Sequence, residues 1–180
     1  MKQSGTVMLT TPRLILRRFE ENDAEAMYRN WASHNIVTKY LTWPTHDNIE
    51  VTKAVLKDWT KQYKNSQFYQ WCIELKSLKE PIGSISVVSQ DTQIKCAEIG
   101  YCIGESYWKR GITSEALRAV MDFLWNHEGF RRIEAKHDFN NPASGRVMQK
   151  CGLQYEGTKI AAGFNNTGIC DLVLYGAVKG

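Results

Sequence analysis

The stretch Tyr107-Trp-Lys-Arg-Gly-Ile-Thr-Ser-Glu-Ala-Leu117 sets two cations and a glycine where a strand-like run hands over to an amphipathic helix. A helix start carries unpaired backbone N–H groups and about half a positive charge, which suits a phosphate or pyrophosphate. Gly111 lets a backbone approach such an anion closely, and Lys109 and Arg110 add charge. Neither G-x-x-x-x-G-K-[ST] nor G-x-G-x-x-G is present, which sets aside the Walker and dinucleotide readings. Taken alone, K-R-G at a helix start fits a plain structural turn better than a ligand site.

Other chemistries find less support. Cys72, Cys96, Cys102, Cys151 and Cys170 are odd in number and lack a C-x-x-C pair, and His34, His46, His127 and His137 show no ligand spacing. No zinc site is expected. A net charge of +4 suits a small anionic ligand or a ribonucleoprotein neighbour, while the scattered Lys and Arg argue against direct nucleic-acid binding. The first residues form no apolar segment and no run reaches membrane-spanning length, so a cytoplasmic protein with reduced, buried thiols is expected.

The elements that must position the Lys109–Gly111 turn follow from periodicity. Arg13–Arg17 reads as a first strand, and Asn22 and Asp23 offer an N-cap for a helix ending near Ser33. A second helix runs from about Asn48 to Tyr63 with Val51, Val55, Leu56 and Trp59 on one face. Strands at Phe68–Leu75, Ile82–Val88 and Cys96–Ile103 are joined by short polar links, as in antiparallel hairpins. A helix from about Thr113 to Glu128 is stopped by Gly129, and Arg132–His137 is a strand. Asn141-Pro142 opens another helix that ends at Gly152, and Gly168–Tyr175 is the last strand. The expected fold class is α+β, one domain over residues 1–180 with a mixed, mostly antiparallel sheet. The strands at 97–103 and 132–137 form a parallel βαβ unit with the intervening helix, and its carboxyl-end turn is where ligands bind in such sheets.

Three motifs together carry a resemblance. They are Ala97-Glu-Ile-Gly-Tyr101 running into the turn above, Asn141-Pro-Ala-Ser144, and Val147-Met-Gln-Lys-Cys-Gly152. In this order they resemble the GNAT N-acetyltransferase superfamily, and Thr11-Pro-Arg-Leu-Ile-Leu-Arg17 looks like the opening strand of its RimJ/RimL-type, protein N-terminal branch. The resemblance covers about Thr10 to Tyr175 and implies acetyl-CoA as co-substrate, with no metal. It assigns the pyrophosphate to Trp108, Lys109, Arg110, Gly111, Ile112 and Thr113, and the pantetheine arm to backbone groups of Ile99, Tyr101 and Cys102 between two splayed strands. This chain departs from the family at Lys109, where another glycine is usual, at Thr113, where a small residue is usual, and at Met148, where many members carry a tyrosine proton donor.

The chemistry implied is direct attack by a neutral amine on the thioester in a ternary complex, so no cysteine is required. A strand N–H near Ile99 or Tyr101 would serve the oxyanion. Ser144 is the candidate partner of the leaving sulfur, although its place three residues after Asn141 also suits helix capping. Asn141 reads as an N-cap and, by resemblance, as a pantetheine contact. Glu98 is the candidate base, set against the plainer reading of a strand glutamate facing solvent, with His137 as a rival better explained by packing. Glu115 fits the helix dipole, while Tyr40 and Trp43 fit either the acceptor site or the core. The expected acceptor is a protein N-terminal α-amine of the ribosomal-protein type. A small-molecule amine (polyamine or antibiotic) and a non-catalytic CoA-binding sensor are the alternatives, and a homo-oligomer is left open.

Overall fold

A computed structural model describes residues 1–180. Eight strands form one sheet in the order β1-β2-β3-β4-β5-β6-β8-β7. These are β1 (Leu9–Thr10), β2 (Leu14–Arg17), β3 (Gln70–Leu75), β4 (Glu80–Asp91), β5 (Cys96–Ile103), β6 (Arg132–Asp138), β7 (Gln154–Asn165) and β8 (Gly168–Val178). Every neighbouring pair is antiparallel except β5–β6, which is parallel as the βαβ reading requires.

Two helices cover one face. They are α4 (Ile112–Phe123), which continues as a wider turn through Glu128 to the left-handed Gly129, and α5 (Pro142–Lys150). Their apolar residues Ala116, Leu117, Val120, Met121, Leu124 and Met148 pack on Ala97, Ile99, Ile133 and Ala135 of the central strands. On the opposite face, α1 (Ala24–Met27, widened through Ala32), α2 (Asn35–Thr38) and α3 (Ile49–Gln62) bring Phe19, Met27, Trp31 and Leu56 onto Cys72 and Cys102. The larger of these apolar side chains, each worth roughly 1.5–3 kcal/mol when taken out of water, together outweigh any single polar contact in holding the layers together.

Three expectations need correction. The first helix begins one turn earlier, capped at Glu20 in a reciprocal box with Asp23, because the Asp23 carboxylate is committed to Arg17 at 2.8 and 2.9 Å. Val51 is 39% exposed and leaves the expected buried face of α3, where Thr52 joins Leu56 while Val55 and Trp59 pack at its border. The long strand β7 lies where the sequence reading has no element: as an edge strand it buries only Asn165, so no alternation marks it.

Candidate active site

β5 and β6 pair only from Cys96↔Arg132 to Glu98↔Glu134. Beyond Glu98, β5 continues against β4 while β6 continues against β8, and a gap opens between them. The Gly104 N–H donates to the Ile82 carbonyl of β4 at 2.9 Å. Backbone groups alternate from one edge of a strand to the other, so those of Ile103 and Tyr101 turn into the gap, while Ile99 shares their edge but sits where β6 still pairs and does not line the cleft. Cys102 also lines the cleft but differs from Tyr101 and Ile103 in the direction of its backbone. The same alternation aims its backbone at β4, where it lies opposite Ser84.

The gap is the floor of a cleft of about 350 Å³. One wall is the turn before α4, with Trp108, Lys109, Gly111, Ile112 and Thr113; the other is the start of α5, with Asn141, Ser144 and Val147. Lys109 and Gly111 both adopt left-handed backbone, φ +61° and +72°. A Cβ on Gly111 would meet nothing nearer than the Arg13 guanidinium at 3.7 Å, so it is the conformation rather than crowding that favours glycine there. The Trp108 indole donates to the Ile103 carbonyl at 2.9 Å and fastens the turn to the strand.

Arg110 departs from the expectation that both cations face the ligand. Its guanidinium lies 5.8 Å from the centre of the Tyr107 ring, and it does not line the cleft. The charge there comes instead from Lys109 together with Arg146 and Lys150, one helical turn apart on α5. Arg146 and Lys150 are not among the expected site residues, and their i, i+4 spacing on a helix that the sequence already places at the site is the signal that marks them.

Ser144 stands in the first turn of α5, but its hydroxyl does not cap the helix. It donates to the Tyr101 phenol at 3.1 Å, while that phenol donates to the Ser144 carbonyl at 2.9 Å. Burial, partly offset by the Ser144 hydroxyl, pushes the Tyr101 pKa well above its usual value, so the phenol stays protonated. Asn141 occupies the N-cap position without a side-chain cap bond, which leaves its amide free toward the cleft. The turn before it is braced by Asp138, whose carboxylate accepts from the Asn140 N–H and from Asn165, both at 2.7 Å. Met148 is buried in the core at 1% exposure, consistent with its having no proton to give.

The two candidate bases lie apart from the cleft. Glu98 is on the face of β5 shared with Gly100 and Cys102, opposite Tyr101, and pairs with Lys136 at 3.0 Å at the point where the strands part. His137 is packed under α5, its ring 5.8 Å from that of Tyr175 and its Nδ1 2.7 Å from the Asp138 carbonyl. Tyr40 lines the cleft with Val37 and Leu41, whereas Trp43 packs on His46 outside it. That wall is held by the β7–β8 turn, where the Asn166 amide donates to the Thr38 and Trp43 carbonyls at 2.9 and 2.8 Å.

The family described as the acetyltransferase (GNAT) domain matches residues 13–154. The chain belongs to the GNAT acetyltransferases. It is 32% identical over 172 residues to the uncharacterized N-acetyltransferase YoaA of Bacillus subtilis, covering 96% of this chain and 97% of that one. It is also 35% identical over 99 residues, 55% of each chain, to the ribosomal-protein-serine acetyltransferase of Escherichia coli. Among solved structures, RimL, a ribosomal L7/L12 alpha-N-protein acetyltransferase in complex with coenzyme A, superposes with a TM-score of 0.84 at 23% identity, over 96% of this chain and 98% of that one. This GNAT chain is thus an N-acetyltransferase that takes its acyl group from acetyl-CoA. Its α+β fold, with one parallel pair in an otherwise antiparallel sheet, is that of the family. No helix is long and apolar enough to cross a membrane.

Proposed function

We propose that the chain acetylates protein N-terminal α-amines of the ribosomal-protein type. The observation that carries this reading is the chemistry of the cleft wall, which presents Lys109, Arg146 and Lys150 but no carboxylate and no imidazole. An amine entering it must arrive neutral or lose its proton through water. With reference pKa values of about 7.8 and 10.4, roughly 14% of α-amines but only about 0.04% of lysine side chains are neutral at pH 7. A polyamine would bring several positive charges to three cations with no anion to meet them. The partial match to a ribosomal-protein-serine acetyltransferase supports the same acceptor class.

In this reading the pyrophosphate lies on the turn 108–113 and on the start of α4, with the pantetheine arm along Ile99–Ile103. The amine nitrogen attacks the thioester carbonyl carbon, and the strand N–H groups in the gap stabilise the oxyanion. The C–S bond then breaks, the sulfur leaves with the electron pair, and the Ser144 hydroxyl turns from Tyr101 to meet it. The proton lost from nitrogen passes to water. Release of the CoA thiol, followed with N-terminally free peptides, N-terminally blocked lysine peptides, polyamines and aminoglycosides, tests the acceptor. The free peptides should be turned over most efficiently; turnover of blocked lysine peptides with free N-termini left untouched would sink the reading.

A further inference from the structure

Two left-handed residues, Lys109 and Gly111, flank Arg110 in the turn before α4. The orientation of the 110–111 peptide between them sets whether its carbonyl or its N–H faces the cleft. One contact decides between them: Arg13, from β1–β2 and almost a hundred residues earlier, donates from Nη1 to the Arg110 carbonyl at 2.9 Å. No peptide bond is cis, and in a planar trans peptide the C=O and the N–H point in opposite directions. Holding the Arg110 carbonyl on Arg13 therefore turns the Gly111 N–H the other way. Gly111 lines the cleft and Arg13 does not.

Arg13 is itself clamped. Its Nε donates to Glu115 Oε2 at 2.6 Å and its backbone N–H to Glu115 Oε1 at 3.0 Å, while the Thr11 hydroxyl donates to the same Oε1 at 2.6 Å. Both oxygens of Glu115 are thereby engaged on the side of β2. Without these partners its negative charge would stand unpaired in the first turn of α4, beside a site that takes an anion.

We propose that Arg13 is a positioning residue for the donor's pyrophosphate: clamped by Glu115 and Thr11, it fixes the 110–111 peptide so that the Gly111 N–H faces the anion. The proposal rests on placing the pyrophosphate at the turn 108–113. A lysine is a poor substitute, because one ammonium cannot serve the carboxylate and the carbonyl with the geometry of a guanidinium fork.

The test compares the full-length protein with Arg13→Gln, Arg13→Lys and Glu115→Gln, using acetyl-CoA and S-acetylpantetheine, which lacks the pyrophosphate. For Arg13→Gln, the Kd and KM for acetyl-CoA should rise about 10- to 100-fold, the scale of one charge-assisted hydrogen bond. The kcat at saturation and the kcat/KM for S-acetylpantetheine should change little, Arg13→Lys should recover only part of the loss, and Glu115→Gln should shift in the same direction by less. Thermal melts identify a variant that has lost its fold, and the remaining variants then decide. Equal losses with both donors, or an Arg13→Gln protein that keeps wild-type affinity for acetyl-CoA, would overturn the proposal. A wild-type protein that favours acetyl-CoA no more than S-acetylpantetheine would overturn the placement of the pyrophosphate, and the proposal with it.

Discussion

In the free protein the Ser144 hydroxyl spends its hydrogen on the Tyr101 phenol, and removing that hydroxyl has two separable consequences. The first concerns stability. The Tyr101 phenol keeps its own donation to the Ser144 carbonyl, a backbone atom that Ser144→Ala retains. Only one accepted hydrogen bond is lost, worth about 0.5–1.5 kcal/mol, and the melting temperature should fall by no more than about 2–6 °C for a chain of this size. The second concerns rate. A hydrogen bond to the leaving sulfur forms mainly as charge develops, so its loss should lower kcat about 10- to 1000-fold, by analogy with oxyanion donors, and leave the KM for acetyl-CoA nearly unchanged. The assay is thiol release at saturating acetyl-CoA and peptide, run beside thermal melts. Tyr101→Phe is the matching control, since it removes the resting partner and leaves the serine in place. A Ser144→Ala protein with wild-type kcat would refute the assignment, and a collapse of kcat confined to Tyr101→Phe would move the role to the phenol.

Three further outcomes follow from the same geometry. Gly111→Asp should fold, because the space at its Cβ is open and aspartate tolerates left-handed backbone better than most residues, yet its carboxylate should abolish the rise in melting temperature that acetyl-CoA gives the wild type; an undiminished rise would refute the pyrophosphate placement. Gly145→Ala would put a Cβ 2.5 Å from His137 Nε2, on a ring already held by Asp138 and Tyr175, and should cost about 1–3 kcal/mol; an unchanged melting temperature would show that the ring can move aside. Burial works to raise the Glu115 pKa, but the bonds from Thr11 and from the Arg13 backbone and guanidinium outweigh it and hold the value below the usual one. Its contribution is therefore complete above the unfolded value of about 4.3 and is lost as pH falls through the lower folded value, so the melting curves of wild type and Glu115→Gln should converge as pH drops from 5 to 3; a constant gap would contradict an ionised clamp.

Much of this protein is written in short stretches. The helical spacing of Ala116, Leu117, Val120, Met121 and Leu124, the glycine stop at Gly129 and the Asn141-Pro142 start depend on local sterics and capping, and each stands where the sequence places it. The order strand, helix, strand already requires the parallel β5–β6 pair. What the sequence leaves open is every relation between distant residues. Arg13 and Glu115 meet across about a hundred positions, Tyr101 and Ser144 across 43, and no periodicity encodes either meeting. The direction of Arg110 hangs on the left-handed turn around it and on a carbonyl held by Arg13, so a run of cations could not reveal which one faces the ligand. β7 escaped notice because an edge strand with little buried surface is under no pressure to alternate. Composition, periodicity and capping thus determined the elements and their order, because those act within a few residues. The parting of the strands after Glu98 and the orientation of the groups that line the cleft were decided only when the sheet brought its ends together, because hydrogen bonds and ion pairs form between whatever the packed layers make adjacent.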